Sequence, residues 1–148
     1  MPPASLLTHT TAQHVVDFAR DDPSSLDAIT LPLDFLIERP ALCHGLAAWF
    51  TVDFEGSVQT VTLDTGPHAP GTHWYQCRLL LREPLAVNAG QRLTGSLRMT
   101  ANERYSYHLL LSLGVAGSEA TTSSGQPVAS QVAVNLADQQ YSFGAGGS

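Results

Sequence analysis

From Ile29 onward the chain alternates apolar and polar residues with a period of two, the spacing that puts one face of a strand on a core and the other in water. Ile29, Leu31, Leu33, Phe35 and Ile37 share a face opposite Thr30, Asp34 and Glu38. Pro32 cannot donate to a ladder, so this strand belongs at an edge or a bulge. After a break at Arg39-Pro40, Leu46, Ala48, Phe50, Val52 and Phe54 alternate with Ala47, Trp49, Thr51 and Asp53, and Glu55-Gly56-Ser57 predicts a turn into a strand from Val58 to Leu63. Tyr75, Cys77, Leu79 and Leu81 open the next strand, with turns expected at Arg82-Glu83-Pro84 and at Asn88-Ala89-Gly90. Leu93, Leu97 and Met99 then face away from Arg92, Thr94, Ser96 and Arg98, and beyond a turn at Asn102-Glu103-Arg104 come Tyr107, Leu109, Leu111, Leu113 and Val115. Val132 to Leu136 predicts a last short strand, with Tyr141 and Phe143 placed to cover an open end. Short strands joined by turns, with almost no helical periodicity, predict an all-β fold, an antiparallel barrel or sandwich.

The flanks follow a different grammar. Residues 1–14 have no apolar period and are expected to form a disordered leader. Val15-Val16-Asp17-Phe18 is a short β-prone run, and Arg20 to Leu26 has turn chemistry, with Ser24 or Ser25 able to cap one helical turn. One domain is expected over residues 15–143, with a Gly/Ser-rich loop at 116–130 and a flexible tail at 144–148. No internal repeat is found.

Composition narrows the class. With 148 residues, 43% hydrophobic and only 14% charged, the chain can bury a core and is not a disordered sequence. All of its basic residues are Arg, and the formal net charge of −6 argues against a nucleic-acid partner, which requires a basic stripe to neutralise phosphates. A basic protein partner suits it better. Cys43 and Cys77 form no Cys-x-x-Cys pair and read as small buried hydrophobes in a reducing compartment. No apolar run approaches the roughly 20 residues that span a bilayer, and Met1-Pro2-Pro3 does not open a signal peptide, so a soluble intracellular domain without a membrane partner is expected. His9, His14, His44, His68 and His108 fall at no metal-ligand spacing, and neither a Gly-x-Ser-x-Gly elbow nor a Gly-rich nucleotide loop is present.

The chemistry concentrates in Pro67-His68-Ala69-Pro70-Gly71-Thr72-His73-Trp74-Tyr75-Gln76, where two prolines stiffen a loop that delivers His73 and Trp74 at the start of a strand. Taken alone, a histidine and an indole at a strand start describe packing more often than a site. The surrounding words decide between them. His44-Gly45-Leu46-Ala47-Ala48-Trp49-Phe50, Thr65-Gly66-Pro67, Thr72-His73-Trp74-Tyr75-Gln76, Ala89-Gly90-Gln91 and Gly95 follow in an order and spacing that resembles the C-terminal β-barrel of type I protein arginine methyltransferases. The Trp-Tyr-Gln continuation and the His-Gly-Leu-Ala opening are most like the coactivator-associated (histone-)arginine methyltransferases and their plant and algal counterparts.

The resemblance implies a share in transferring methyl from S-adenosylmethionine to arginine in proteins such as histones, in the nucleus and cytoplasm. It implies that the Thr-His-Trp loop walls the substrate pocket, with His73 as the catalytic residue and Trp74 as a substrate-binding one; Tyr75 and Gln76 are assigned no catalytic role. The Rossmann-like cofactor domain and its glutamate pair have no counterpart in these residues, and neither has the family's helical dimerisation arm. The chain is therefore expected to bind no cofactor and no metal, to be inactive alone, and to partner the missing cofactor domain or a full-length methyltransferase subunit. The family's aromatic-Phe-Asp-Val word reads Phe50-Thr51-Val52 here, with the acid displaced to Asp53. A non-catalytic module that docks a peptide or protein is the alternative reading.

Overall fold

The computed structural model describes residues 1–117 and 129–136. Eight strands follow in order: β1 (Ala28–Leu36), β2 (Ala41–Ala48), β3 (Thr51–Glu55), β4 (Thr60–Asp64), β5 (Cys77–Val87), β6 (Arg92–Ala101), β7 (Tyr107–Val115) and β8 (Ala129–Asn135). All of their pairings are antiparallel, in a four-stranded sheet ordered β1-β6-β7-β8 and two hairpin-like pairs, β2-β5 and β3-β4. Among the described residues there is no α-helix; short 3-10 turns lie at Pro3–Ser5 and Pro23–Leu26.

The predicted alternation is what closes the core. Leu33, Phe35 and Ile37 near β1, Cys43 on β2, Leu79, Leu81, Leu85 and Val87 on β5, Leu93 and Leu97 on β6, and Leu109, Leu111 and Leu113 on β7 form one buried cluster. The four-stranded sheet and the β2-β5 pair are thus opposite walls of a barrel, with β5 running beside β8. β1 is an edge strand, one of the two places Pro32 allowed, because β6 is its one ladder partner among the described residues. Gly95 fits for a different reason: a Cβ there would lie 1.9 Å from the Ser112 carbonyl oxygen, so β6 can reach β7 in this register only with a glycine.

Several expectations are corrected. Arg82-Glu83-Pro84 is no turn; β5 runs straight through it. On β2 the register jumps from Cys43↔Leu85 to Gly45↔Leu80, so the residues between Leu80 and Leu85 bulge opposite His44. A bulge tolerates the donor that Pro84 lacks and bends the wall of the barrel. The alternation from Leu46 to Phe54 is cut at Trp49-Phe50 into β2 and β3, which belong to different sheets. β4 begins at Thr60 and leaves Val58 exposed in the turn, and β5 begins at Cys77, so Tyr75 stays in the loop. Val15 to Phe18 is not a strand, and Val15 and Phe18 are among the most exposed apolar residues. The cap before Pro23–Leu26 is Asp22, whose carboxylate accepts from the Ser24 amide at 2.9 Å, rather than Ser24 or Ser25.

Residues 1–14 are held against the barrel instead of hanging free of it. Leu7 and Ala12 pack on the core, the Glu38 amide donates to Leu7 O, and the Arg39 guanidinium donates to Ala4 O at 2.7 Å. Two apolar side chains and a set of main-chain bonds dock a segment that has no period to betray it. Most of the expected 116–130 loop, together with Tyr141, Phe143 and the 144–148 tail, lies outside the described residues.

Candidate functional site

The loop that carries His73 and Trp74 leaves β4 at Asp64 and enters β5 at Cys77. Its first anchor is Thr65, the one buried polar residue among those described, at 2% exposure. Its hydroxyl donates to Phe50 O at 2.8 Å and accepts from the Phe50 amide at 3.2 Å, extending the β3-β4 pair by one position. Gly66 follows, buried against the Trp49 indole; a Cβ would come within 2.9 Å of Trp49 Nε1, which explains the glycine. The Gly66 amide donates to Asp64 Oδ1, and the Ala69 amide closes a turn onto Gly66 O. Pro67 and Pro70 fix φ on either side of that turn.

Past Gly71, the Thr72 hydroxyl donates to Trp74 O at 3.0 Å and accepts from the Trp74 amide at 3.2 Å. This local bond bends the chain so that His73 stands edge-on to Trp74, with ring centres 6.1 Å apart at 81°. Trp74 in turn meets the Phe50 ring edge-on at 6.0 Å. His73, Trp74 and Phe50 make a row of rings at the foot of the β3-β4 hairpin. Trp74 is 51% exposed, His73 is exposed, and the His73 imidazole has no hydrogen-bond partner among the described residues. It is open to a partner from elsewhere. Gln76 ends the loop: its Nε2 donates to Thr65 O at 2.7 Å and its Oε1 accepts from the Met1 ammonium at 2.8 Å.

The other histidines are used differently. His9 sits on Glu38, its Nδ1 2.7 Å from Oε2 and its amide 2.8 Å from Oε1, and its ring stacks at 6.3 Å on that of His68. These residues, with Leu6, Leu7 and Arg39, line a groove of about 450 Å³ from which His73 and Trp74 are absent. No group of three His, Cys, Asp or Glu residues among those described is arranged to hold a metal. Burial raises the thiol pKa of both Cys43 and Cys77, which keeps them protonated and chemically quiet.

The His9 amide and ring together hold the Glu38 carboxyl below its ordinary value of 4.5. A depressed carboxylate favours the folded contact above that ordinary value and ceases to do so as pH falls through the lowered one. In a titration from pH 6 downward the His9 amide ¹⁵N resonance should therefore move with a midpoint below 4.5, reporting release of the N-terminal segment. A midpoint at or above that value would contradict the contact.

Sequence reasoning singled out His73 and Trp74, and the structure sets them side by side. It did not find the frame beneath them, Phe50, Thr65 and Gln76. Phe50, Thr65 and Gln76 all fall inside the family-like words, and that match is the signal the sequence carries for them.

Residues 1–116 match the family model described as the arginine methyltransferase oligomerization subdomain. Two relatives named histone-arginine methyltransferase CARMER, from Drosophila yakuba and Drosophila grimshawi, are each 47% identical over 107 residues, covering 72% of this chain and 20% of theirs. The chain thus spans about a fifth of the length of these curated relatives. The Trypanosoma brucei PRMT1 enzyme-prozyme heterotetrameric complex with AdoHcy contains a chain of the same fold, with a TM-score of 0.71 at 20% identity, covering 91% of this chain and 43% of that one.

Proposed function

The chain belongs to the protein arginine methyltransferase family, as its C-terminal barrel, and from that premise we propose that it supplies the substrate-pocket wall of an enzyme that methylates arginine in proteins such as histones, with S-adenosylmethionine as donor. The observation that carries this reading is the Thr72-His73-Trp74 loop, stiffened by prolines and locked so that an imidazole without a hydrogen-bond partner among the described residues stands beside a half-exposed indole. The half-exposed indole of Trp74 suits the stem and cation of an arginine side chain. His73 is the catalytic residue: its ring nitrogens are free to respond to the proton that a guanidinium nitrogen loses on methylation. Positioning of this kind contributes to rate by holding reacting groups in register.

The donor does not fit these residues. Nucleotide-type cofactors rest on a glycine-rich strand-to-helix turn with an acidic ribose partner, and among the described residues no α-helix follows any strand. The donor is held by a cofactor domain other than these residues, and docking that domain or another methyltransferase subunit is the proposed partnership. The family model's own description, an oligomerization subdomain, supports association, as do the exposed Val15, Phe18, Phe54 and Val61. The proposed acting unit is residues 15–143 with 1–14 packed upon it; histone substrates would put it in the nucleus, and the proposed range includes the cytoplasm.

Calorimetric titration of the 148-residue chain with S-adenosylmethionine tests the division of labour. No heat above dilution is expected. One-to-one binding would overturn the assignment of donor binding to another domain.

A further inference from the structure

Between Thr65 and Gln76 the hydrogen bonds are local: Gly66 to Asp64, Ala69 to Gly66, and Thr72 with Trp74. None of these ties the outgoing half of the loop to the incoming half. The Gln76 side chain does, by donating from Nε2 to Thr65 O at 2.7 Å. Thr65 is itself fixed to both polar groups of the Phe50 main chain, and the Phe50 ring bears on Trp74. Gln76, Thr65, Phe50 and Trp74 therefore make a closed circuit around the base of the loop, and among the described residues Gln76 makes the one side-chain hydrogen bond across the two ends. The amide orientation is set by chemistry: Thr65 O is an acceptor, so the nitrogen must face it.

We propose that Gln76 is a positioning residue, whose amide clamps the base of loop 66–75 and so fixes where His73 and Trp74 stand against the substrate. Resting on the reading of His73 given above, the proposal goes beyond it by naming what holds that histidine in place. A loop closed at its base samples far fewer arrangements than one free to open. Loss of the clamp leaves the Trp74 to Phe50 ring contact as the remaining described link between the incoming half and the β3-β4 hairpin, and a displacement of about 1 Å at a reacting group lowers rate by up to roughly 100-fold.

The test compares the wild type with Gln76→Leu, which keeps bulk but removes the donor, and with Gln76→Glu, which sets a carboxylate against the Thr65 carbonyl. In the full chain, amide exchange at Gly71 to Tyr75 should accelerate by about tenfold or more in both variants, while exchange at Leu111 in the core stays at the wild-type rate. In the complete enzyme that carries this barrel, assayed with a histone-tail peptide and S-adenosylmethionine, Gln76→Leu should lower kcat by about 10- to 100-fold with a smaller change in KM, and should add nothing to the loss caused by His73→Ala. A purely structural residue would give independent losses that multiply. Unchanged loop exchange, or multiplying losses, overturns the clamp. If His73→Ala leaves turnover intact, the reading of the site fails instead, and the clamp is judged on exchange alone, where acceleration supports it and wild-type rates overturn it.

Discussion

His73→Ala in the complete enzyme should reduce turnover by about 10²- to 10⁴-fold, the range over which a placed acid or base acts, while the melting of the barrel barely moves. His73 is exposed, and its one described contact is the edge of the Trp74 ring, so its truncation leaves no cavity and no orphaned donor. Exposed substitutions of that kind stay within about 0.5 kcal/mol of wild type. Trp74→Ala should behave differently. The indole is half-buried against Phe50, and losing an edge-on aromatic pair removes about 0.5–1.5 kcal/mol beyond the burial itself, so stability and turnover fall together. Paired thermal melts and initial rates separate the two residues. Should His73→Ala unfold the barrel as severely as Trp74→Ala, the histidine is structural and the site is misassigned.

The largest effect on folding is expected at Leu111. Its side chain is 0% exposed, and it pairs with Leu97 on one side and Val132 on the other, at the centre of the four-stranded sheet. Leu111→Ala removes buried methyl groups where three strands leave little room to collapse, and should destabilise the chain by about 2–5 kcal/mol. Since single domains are stable by roughly 5–15 kcal/mol, that is a large share of the total. Leu110, one position along and 42% exposed on the outer face, provides the control, for which about 0.5 kcal/mol or less is expected. Chemical denaturation with a shared slope measures both. Equal midpoints for the two variants would contradict the placement of Leu111.

The core strands were legible because a strand with one wet face writes its burial into alternate residues, and the leucines at 109, 111 and 113 do so without interruption. Pro32 was legible too, since a missing donor has few places to go in a sheet. Two kinds of feature escaped. Arg82-Glu83-Pro84 has the composition of a turn, yet the register with β2 turns it into a bulge, a decision made by a partner about 40 residues away and invisible locally. The docking of residues 1–14 escaped because it rests on Leu7, on main-chain bonds and on His9 with Glu38, none of which has a period. At the site, His73 and Trp74 could be named because a family word contains them. Phe50, Thr65 and Gln76 lie in the same family words, but what they do is a matter of hydrogen bonds across the loop, and side-chain to main-chain bonds between distant positions leave no spacing to count.

The central claim is that this barrel completes an arginine methyltransferase by walling its substrate pocket. Reconstitution measures it most directly: the chain is combined with a cofactor domain of the family, and methyl transfer from labelled S-adenosylmethionine to a histone-tail peptide is followed. The account predicts no transfer by either part alone, transfer by the two together, and its loss with His73→Ala in a barrel that still folds. Reconstituted transfer that is indifferent to His73, or a folded barrel that never restores transfer, would contradict it.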